Sequence, residues 1–398
     1  MISVKEATNF IQSTARDYGT VSIPLSESIG RVLRENLYAD RPFPPFNRVT
    51  MDGIAIQHAA FANGQRTFRV EGIAAAGAPQ MSLLDGENCL EVMTGAILPK
   101  NTDTVIRYED TEFSEGKMTI QIEDLKFEKN VHKLGSDRKQ EDLLIAAGRI
   151  ISPAEIGVAA TVGKTHLQVS KYPKTIIIST GDELVEVSEN PLPHQIRKSN
   201  VHLLQSMFTS IGMPAKVTHL KDDYEEVVAG LKSVLQEYDL LILSGGVSAG
   251  KFDYLPKALK ELKVKEYFHK VKQRPGKPFW FGKSPEGAVI FALPGNPVSS
   301  FSCAQKYVFP WLQKSLSVPM PAPIYAALSQ DYTFKPDLTY FLQVKISYSE
   351  KGQVIATPFT GNGSGDLANL TNADGFLELS RGKEIFKKGE FFSFVSYR

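Results

Sequence analysis

The sequence predicts a multidomain protein that combines α/β and β architecture. From Lys174 onward strands and helices alternate, which indicates a doubly wound, mostly parallel sheet. Between residues 43 and 137 short strands and turns indicate a small β-rich insertion. After a proline-rich linker at 317–323, alternating runs such as Tyr340–Tyr348 and Phe391–Tyr397 indicate a small antiparallel barrel or sandwich.

The composition is that of a globular protein with two to four domains. The chain has 398 residues, of which 42% are hydrophobic, and a net charge of +1 that argues against a nucleic-acid partner. The first ten residues do not resemble a signal peptide, and no apolar run approaches the roughly 18 residues of a transmembrane helix. Cys89 and Cys303 lack metal-ligand spacing, so we expect two reduced thiols in a cytoplasmic protein without membrane contact.

The N-terminal part is predicted to be helical on both sides of the β-rich insertion. Residues 3–6, SVKE, fit a capping box for a helix that runs to about residue 17. Prolines within 42–45 favour an extended lead-in to a strand at Met51–Ile56. Ser152-Pro153 is typical of the start of another helix.

Three loops follow strands of the predicted parallel sheet. They are Thr180-Gly181-Asp182-Glu183, the segment SGGVSAGKFD at 244–253, and Pro294-Gly295-Asn296-Pro297. Because the carboxyl ends of parallel strands lie at one edge of a sheet, we expect the loops to meet there. Gly245 and Gly246 free the backbone for positive φ or for close approach by a ligand.

Two polar residues stand where helices of the α/β part are predicted to begin. Asn200 is expected to cap a helix at 201–211, and Asp253 precedes a helix at 254–262. Asp253 therefore has two interpretations, a helix cap or a functional carboxylate.

Acidic residues at or near loops suggest a divalent cation. Each alone is typical of a cap or a turn, but together at one edge they would repel an anionic ligand unless Mg²⁺ bridged them. A carboxylate can also accept paired N–H donors from a heterocycle. The residues are Asp52, Asp182, Glu183, Asp222 and Asp253.

Three glycine-rich or basic segments are candidates for anion binding. Gly245-x-x-x-x-Gly250-Lys251 matches most of a Walker A loop, but Phe252 replaces the hydroxyl residue that ligates Mg²⁺, which disfavours a P-loop. The loop at 274–278, RPGKP, carries two cations that could hold an oxyanion. Residues 361–365 are either a turn or a nest of N–H groups around an anion.

The chain resembles the molybdopterin molybdenumtransferase family, which includes the MoeA proteins and the E domain of gephyrin. The resemblance runs nearly from end to end and depends on the order and spacing of several segments together. These segments are PPFNRVTMDGIAI, MTGAILPKNTDTVI, ISTGDEL, SGGVSAGKFDY, RPGKPFWFG, LPGNPVSS and GSGDLANLTNADGFLEL.

The resemblance implies an elongated homodimer with four domains per subunit. The site would lie in the α/β domain of one subunit and be closed by domains of the other. The resemblance also implies contacts between this protein and the adenylating enzyme and apo-molybdoenzymes. The implied domains are a discontinuous helical domain at 1–42 and 138–172, a small β-rich domain at 43–137, an α/β molybdopterin-binding domain at 173–316 and a C-terminal β-barrel at 317–398.

The implied reaction inserts molybdate, as co-substrate, into the dithiolene of adenylated molybdopterin with Mg²⁺-dependent release of AMP. The resemblance implies catalytic roles for Asp52, Glu183 and Asp253, of which Glu183 and Asp253 would also bind the metal. The predicted substrate-binding residues are Thr94, Asp182, Asp222, Ser244, Gly245, Gly246, Ser248, Arg274, Lys277, Pro294, Gly295, Asn296, Pro297 and Ser364.

Several positions depart from the family pattern. His132 and Ser136 stand in the segments where the family carries an arginine and a glutamate, Ile54 replaces an aromatic residue, and Gln343 stands where the family tends to carry arginine. Alternative hypotheses are therefore a tungstate-inserting variant and a catalytically weakened paralogue that acts as a molybdopterin-binding or scaffold protein. A P-loop-like nucleotidase is a third, and it would depend on Lys251.

Overall fold

The chain forms two compact units in a computed structural model that describes residues 1–247, 254–319, 322–359 and 361–398. The first unit comprises residues 1–34, 148–153 and 166–398, and the second comprises residues 35–147 and 154–165. The finer division into four domains stays a prediction.

The first unit contains most of the helices. No helix in the described ranges is both long and apolar enough to cross a membrane. The α-helices of this unit are Val4–Ser13, Ser199–Ser210, Tyr224–Glu237, Leu255–Glu261, Pro297–Cys303 and Phe309–Ser315, and Ala304–Val308 between the last two is a π-helix. Short 3-10 turns lie at Leu25–Glu27 and Leu367–Thr371.

A six-stranded sheet forms the centre of the first unit. Its first four strands are parallel and its last two are antiparallel to their neighbours, so the predicted doubly wound, mostly parallel sheet is confirmed. The second strand in the chain lies on one side of Thr175–Thr180 and the third on the other, which places a topological switch point between Thr175–Thr180 and Leu240–Ser244. The strands across the sheet are Ala215–Leu220, Thr175–Thr180, Leu240–Ser244, Val289–Leu293, Trp280–Lys283 and Lys265–His269.

The two faces of this sheet pack against different helices. Ile177, Ile242 and Phe291 contact the helices at 4–13, 199–210 and 297–315. On the other face Ile176, Leu241 and Ile290 pack against the helices at 224–237 and 255–261. Burial of each aliphatic or aromatic side chain contributes about 1.5–3 kcal/mol to the free energy of folding. Strands that are apolar on both faces are therefore stable only when helices cover both faces of the sheet.

Five strands near the C-terminus close into a barrel, which decides between the two architectures that the sequence left open. Thr339–Tyr348 pairs with Val354–Pro358 on one side and with Gly375–Leu379 on the other. Phe391–Ser396 and Ile324–Leu328 complete the ring. Closure leaves no free edge that could pair with another chain.

Shorter strand pairs complete the first unit. Thr20–Pro24 pairs antiparallel with His166–Ser170, and Tyr332–Thr333 pairs with Ile385–Phe386. Leu184–Val185 pairs with Ile196–Arg197, and Gln273–Arg274 pairs in parallel with residues 339–340, at the start of a barrel strand.

The N-terminal helix has the predicted capping box. The Ser3 hydroxyl accepts a hydrogen bond from the Glu6 N–H, and the Glu6 carboxylate accepts one from the Ser3 N–H. The helix ends at Ser13, earlier than expected, because the Thr14 hydroxyl bonds the carbonyl of Ile11 at 2.7 Å.

The second unit is a β-rich body, as the sequence predicts. Its main sheet orders Thr104–Arg107, Gly53–Ile56, Cys89–Val92, Thr67–Ala74, Lys117–Ile120 and Thr111–Ser114. Leu37–Tyr38 pairs with Leu143–Ile145, and Arg48–Val49 pairs with Val131–His132. A helix at His58–Ala62, a 3-10 turn at Tyr108–Asp110 and the helix Pro153–Thr161 complete the elements. The strand expected at Met51–Ile56 begins at Gly53.

We expect Gly53→Ala to destabilise the protein by about 3 kcal/mol, because an added Cβ would lie 1.8 Å from the carbonyl oxygen of Ile106. Gly157→Ala is the matched control, since a Cβ there meets nothing within 4 Å and Gly157 lies on a helix. The control should stabilise the protein by about 0.5–1 kcal/mol. Differential scanning calorimetry measures both variants, and a Gly53→Ala protein that melts with the wild type would contradict the predicted clash.

Candidate functional site

Loops at the carboxyl edge of the central sheet enclose a cavity of about 320 Å³, which we call the first cavity. Thr180–Glu183, Gly245–Val247 and Pro294–Asn296 all contribute to its lining, together with Asp222 and Pro278. The described parts of the three predicted loops therefore meet at one edge of the sheet. Their roles toward a ligand stay predictions.

Two glycines allow the loops to approach each other closely. Gly245 has a φ of +100° and Gly246 a φ of +65°, which are backbone conformations that residues with a side chain rarely adopt. A Cβ on Gly246 would lie 2.7 Å from a methyl carbon of Leu255, and one on Gly245 would lie 3.1 Å from the carbonyl oxygen of Thr180. The N–H of Gly245 donates to the carbonyl of Leu293 at 3.2 Å. The backbone of these two glycines therefore lines the cavity directly, in a place where a side chain would occupy the space.

Carboxylates give the first cavity an acidic wall. Glu183 and Asp222 line it, and Asp182 accepts a hydrogen bond from the N–H of Asp222 at 3.1 Å. Asp182 thereby fixes the loop that carries Asp222. Within the described ranges no group of three or more His, Cys, Asp or Glu is placed to hold a metal ion.

A second cavity of about 440 Å³ adjoins the first and shares Thr180, Glu183 and Gly245 with it. Arg197 and Lys198 line its far side at the start of a helix, where the Lys198 ammonium pairs with the Glu186 carboxylate at 2.6 Å. A helix N-terminus presents unpaired N–H groups, which favour negative charge. The two cavities together offer an acidic wall on one side, and the Arg197 guanidinium and a helix N-terminus on the other.

Asn200 does not cap its helix, contrary to the sequence prediction. The helix begins at Ser199, so Asn200 lies in its first turn. Its amide nitrogen donates to the Ser244 hydroxyl at 3.0 Å and to the Gly295 carbonyl at 2.7 Å. Asn200 therefore ties two site loops together, a role that its place near the start of a helix could not reveal.

The Thr180 hydroxyl is a further site group that the sequence did not single out. Thr180 is only 6% exposed and lines both cavities. Its Oγ1 and the Oδ1 of Asn200 are buried without a hydrogen-bond partner in the described part of the chain. Unpaired buried polar atoms cost free energy, which fits a place that is completed by a ligand. The only clue in the sequence was that Thr180 ends a buried strand.

His219 lies beside this region on the neighbouring strand. Its Nδ1 is 2.9 Å from the Ser179 hydroxyl. Burial, and then the nearby Lys198 ammonium, lower the pKa of His219 below its usual value, so its imidazole is neutral near pH 7.

A third, smaller pocket of about 140 Å³ lies against the barrel, and we call it the Arg274 pocket. Tyr340, Gln343 and Ser364 also line it. The Ser364 hydroxyl accepts a hydrogen bond from the Asn296 amide at 2.8 Å, which joins this pocket to the lining of the first cavity. Gln343 Oε1 accepts from Asn369 at 2.6 Å, so the glutamine amide is held in a fixed orientation.

The remaining predicted site residues fall into three groups. Some lie beside the cavities, some lie in the second unit, and some lie outside the described residues. Pro297 lines the second cavity at the start of a helix, and Lys277 is exposed on the loop that follows Arg274. In the second unit the Thr94 N–H donates to Asp52 at 2.6 Å, and this bond lowers the pKa of Asp52. Ser248 and Asp253 lie outside the described residues, together with Lys251.

His132 and Ser136 mark the departure from the family pattern in the second unit. His132 lies 2.8 Å from a carboxylate oxygen of Asp137 and 3.1 Å from a guanidinium nitrogen of Arg48. The Ser136 hydroxyl donates to the same carboxylate at 3.3 Å.

Comparisons with known proteins cover the whole chain. The MoeA N-terminal region (domain I and II) matches residues 2–163, a probable molybdopterin binding domain matches residues 176–314, and the MoeA C-terminal region (domain IV) matches residues 325–397.

Relatives and solved structures agree with these matches. A molybdopterin molybdenumtransferase from Synechocystis is 41% identical over 403 residues and covers 100% of both chains. One from Staphylococcus epidermidis is 32% identical and covers 98% of this chain and 94% of its own. A solved molybdopterin biosynthesis MoeA protein from Pyrococcus horikoshii, 26% identical, superposes with a TM-score of 0.84 over 100% of this chain and 99% of its own.

The first cavity, the Arg274 pocket and the barrel therefore belong to a fold that these proteins share from end to end. The chain is a member of the molybdopterin molybdenumtransferase (MoeA) family of enzymes, which act in molybdenum cofactor biosynthesis.

Proposed function

We propose that this protein inserts molybdate into the dithiolene of adenylated molybdopterin and releases AMP in a Mg²⁺-dependent step. The observation that carries the proposal is the hydrogen bond between Asn296 and Ser364, which joins the carboxylate-lined first cavity to the Arg274 pocket. The reaction needs a slot for a heterocycle and phosphates beside a place for an oxyanion, and this joined arrangement provides both.

The first and second cavities suit the nucleotide. Asp222 supplies a carboxylate that can accept N–H donors of a pterin edge. The glycine backbone at 245–246 leaves room for phosphate oxygens, and Arg197 adds a cation on the far side of the second cavity. Thr180 and Asn200 contribute polar atoms that lack partners among the described residues. We infer that these groups bind and orient the substrate.

Mg²⁺ fits this donor set. The ion typically takes one or two protein carboxylates and completes its coordination with water and substrate phosphate oxygens. Glu183 is a carboxylate of that kind in the first cavity, and Asp253 is predicted to be another. When bound, Mg²⁺ would supply Lewis-acid stabilisation of charge at the phosphoanhydride.

The Arg274 pocket suits the oxyanion co-substrate. The Arg274 guanidinium can pair with two oxygens, and the Ser364 hydroxyl keeps its proton for donation because it accepts the hydrogen bond from Asn296. Gln343 contributes an amide in place of the arginine that the family tends to carry, so this pocket holds less positive charge. A tungstate ion has the same shape and charge as molybdate, and the proposal extends to it as an alternative co-substrate.

The proposal includes a cytoplasmic homodimer. The family resemblance implies that Asp52 and Thr94 serve a site completed by another subunit, and that the protein meets the adenylating enzyme and apo-molybdoenzymes. The hydrogen bonds from Thr94 hold the Asp52 carboxylate in place and lower its pKa.

We expect Glu183→Gln to reduce molybdate-dependent AMP release about 100-fold, which corresponds to about 2.7 kcal/mol of barrier. The substitution keeps the volume of the side chain and removes a carboxylate from the first cavity. AMP released from adenylated molybdopterin with Mg²⁺ and molybdate is measured by chromatography. Glu237→Gln, at an exposed helix end, is the control and should keep full activity.

Asp253→Asn should behave like Glu183→Gln, whereas Lys251→Ala should not. Loss of activity in Lys251→Ala together with ATP hydrolysis by the wild type would favour the nucleotidase hypothesis. A wild type that binds the nucleotide but releases no AMP with either molybdate or tungstate would favour the binding or scaffold protein.

We expect Arg274→Gln to raise the KM for molybdate about tenfold, equivalent to about 1.4 kcal/mol, because one cation leaves the oxyanion pocket. The KM for the adenylated pterin should stay within about twofold, since the cavities keep their lining. Arg381→Gln is the control, because Arg381 pairs with Asp337 on the barrel surface. Equal molybdate KM values in both variants would exclude Arg274 from oxyanion binding.

A further inference from the structure

A buried polar cluster lies beneath the loop that carries Arg274 and Lys277. Gln273 is 0% exposed, and Cys303 and Tyr307 are each 1% exposed. Apolar rings surround the cluster, and the rings of Phe279 and Tyr307 are 5.0 Å apart. We call these three residues the Gln273 cluster.

The polar side chains of the Gln273 cluster are hydrogen-bonded to one another. The Tyr307 hydroxyl donates to Gln273 Oε1, and the Gln273 amide nitrogen lies 3.4 Å from Cys303 Sγ. Burial keeps both neighbours protonated, since it raises the pKa of Cys303 to about 12 and that of Tyr307 well above its usual value. A buried amide and hydroxyl would each cost about 1–3 kcal/mol without these partners.

The same glutamine also holds the loop above it. Its amide nitrogen donates to the Gly276 carbonyl at 3.1 Å, which fixes the orientation of that amide because a carbonyl only accepts. Gly276 has a φ of +86°, and an added Cβ would lie 2.5 Å from Cys303 Sγ. The loop therefore rests directly on the cluster, with no room for a side chain between them.

Both ends of this loop border the proposed site. Arg274 and Pro275 line the Arg274 pocket, and Pro278 lines the first cavity. Gly276 lies between them, so its bond to Gln273 sets the position of the cations relative to both spaces. The loop backbone is also tied by the Val271 N–H, which donates to the Lys277 carbonyl at 3.0 Å.

Tyr307 reaches this cluster from an irregular part of its helix. It lies in the π-helical segment Ala304–Val308, between Pro297–Cys303 and Phe309–Ser315. A π segment costs hydrogen-bond geometry and occurs often at functional sites, where it changes the direction of a side chain.

We propose that Tyr307 and Gln273 are positioning residues for the oxyanion, which hold the Arg274–Lys277 loop in its binding conformation through the bond from Gln273 to Gly276. The inference rests on the proposed function, because it takes molybdate as the ligand of this loop. Neither residue lines the Arg274 pocket, so both act through the loop.

The test is Tyr307→Phe, which removes one hydroxyl and leaves Gln273 Oε1 unpaired. The KM for molybdate should rise at least about fivefold, while kcat and the KM for adenylated molybdopterin stay within about twofold. Tyr172→Phe is the matched control, because the Tyr172 hydroxyl makes a half-buried hydrogen bond to the Ile211 carbonyl at 2.9 Å, outside the Gln273 cluster. It should leave the molybdate KM unchanged.

Gln273→Met provides a second, apolar variant of similar volume in case Tyr307→Phe folds poorly. It should raise the molybdate KM at least as much as Tyr307→Phe does. If Tyr307 acts through Gln273, the double variant should have the molybdate KM of Gln273→Met alone, because coupled residues are not additive.

The outcomes separate this inference from the proposed function. A wild type without molybdate-dependent AMP release would overturn the proposed function. An active wild type whose molybdate KM equals that of Tyr307→Phe and of Gln273→Met would overturn the positioning role alone. Equal rises in the KM values for both substrates would also overturn it, because they would indicate general loosening of the fold.

Discussion

The register of the parallel strands is the constraint on which the site depends. Ser179, Ser244 and Leu293 pair across three neighbouring strands at one level of the sheet. The residues that follow these three, Thr180, Gly245 and Pro294, therefore come to the same edge of the sheet and line the first cavity. A slip of one residue would exchange the side chains that face the two cores, so packing on both faces maintains the geometry of the site.

Close approach of backbone is the second requirement, and polar side chains maintain it. Gly245 and Gly246 remove the side chains that would separate the loops, while Asn200 spans from Ser244 to Gly295. These bonds organise a cavity wall in which two buried polar atoms, Thr180 Oγ1 and Asn200 Oδ1, lack partners among the described residues. The wall is thus rigid in its backbone and incomplete in its hydrogen bonding, as expected of a binding surface.

The helical segment 297–315 connects the α/β sheet, the barrel and the loop that carries Arg274 and Lys277. It begins beside the second cavity with Pro297, carries Tyr307 beneath the loop, and joins the barrel through the ion pair of Lys306 and Glu378 at 2.6 Å. The bond from Asn296 to Ser364 adds a second connection to the barrel side. The Arg274 pocket is consequently shared between two architectures and depends on both.

The sequence by itself determined the architecture and many of the groups around the cavities. Continuous apolar runs, the Ser3–Glu6 capping box and glycines after strands are local features, and local physics decides them. Tertiary structure alone decided the closure of the barrel, the role of Asn200 as a tie between loops, and the placement of Gln273 against Gly276 and Tyr307. These features join residues far apart in the chain, and no local pattern specifies the partner of a buried polar group.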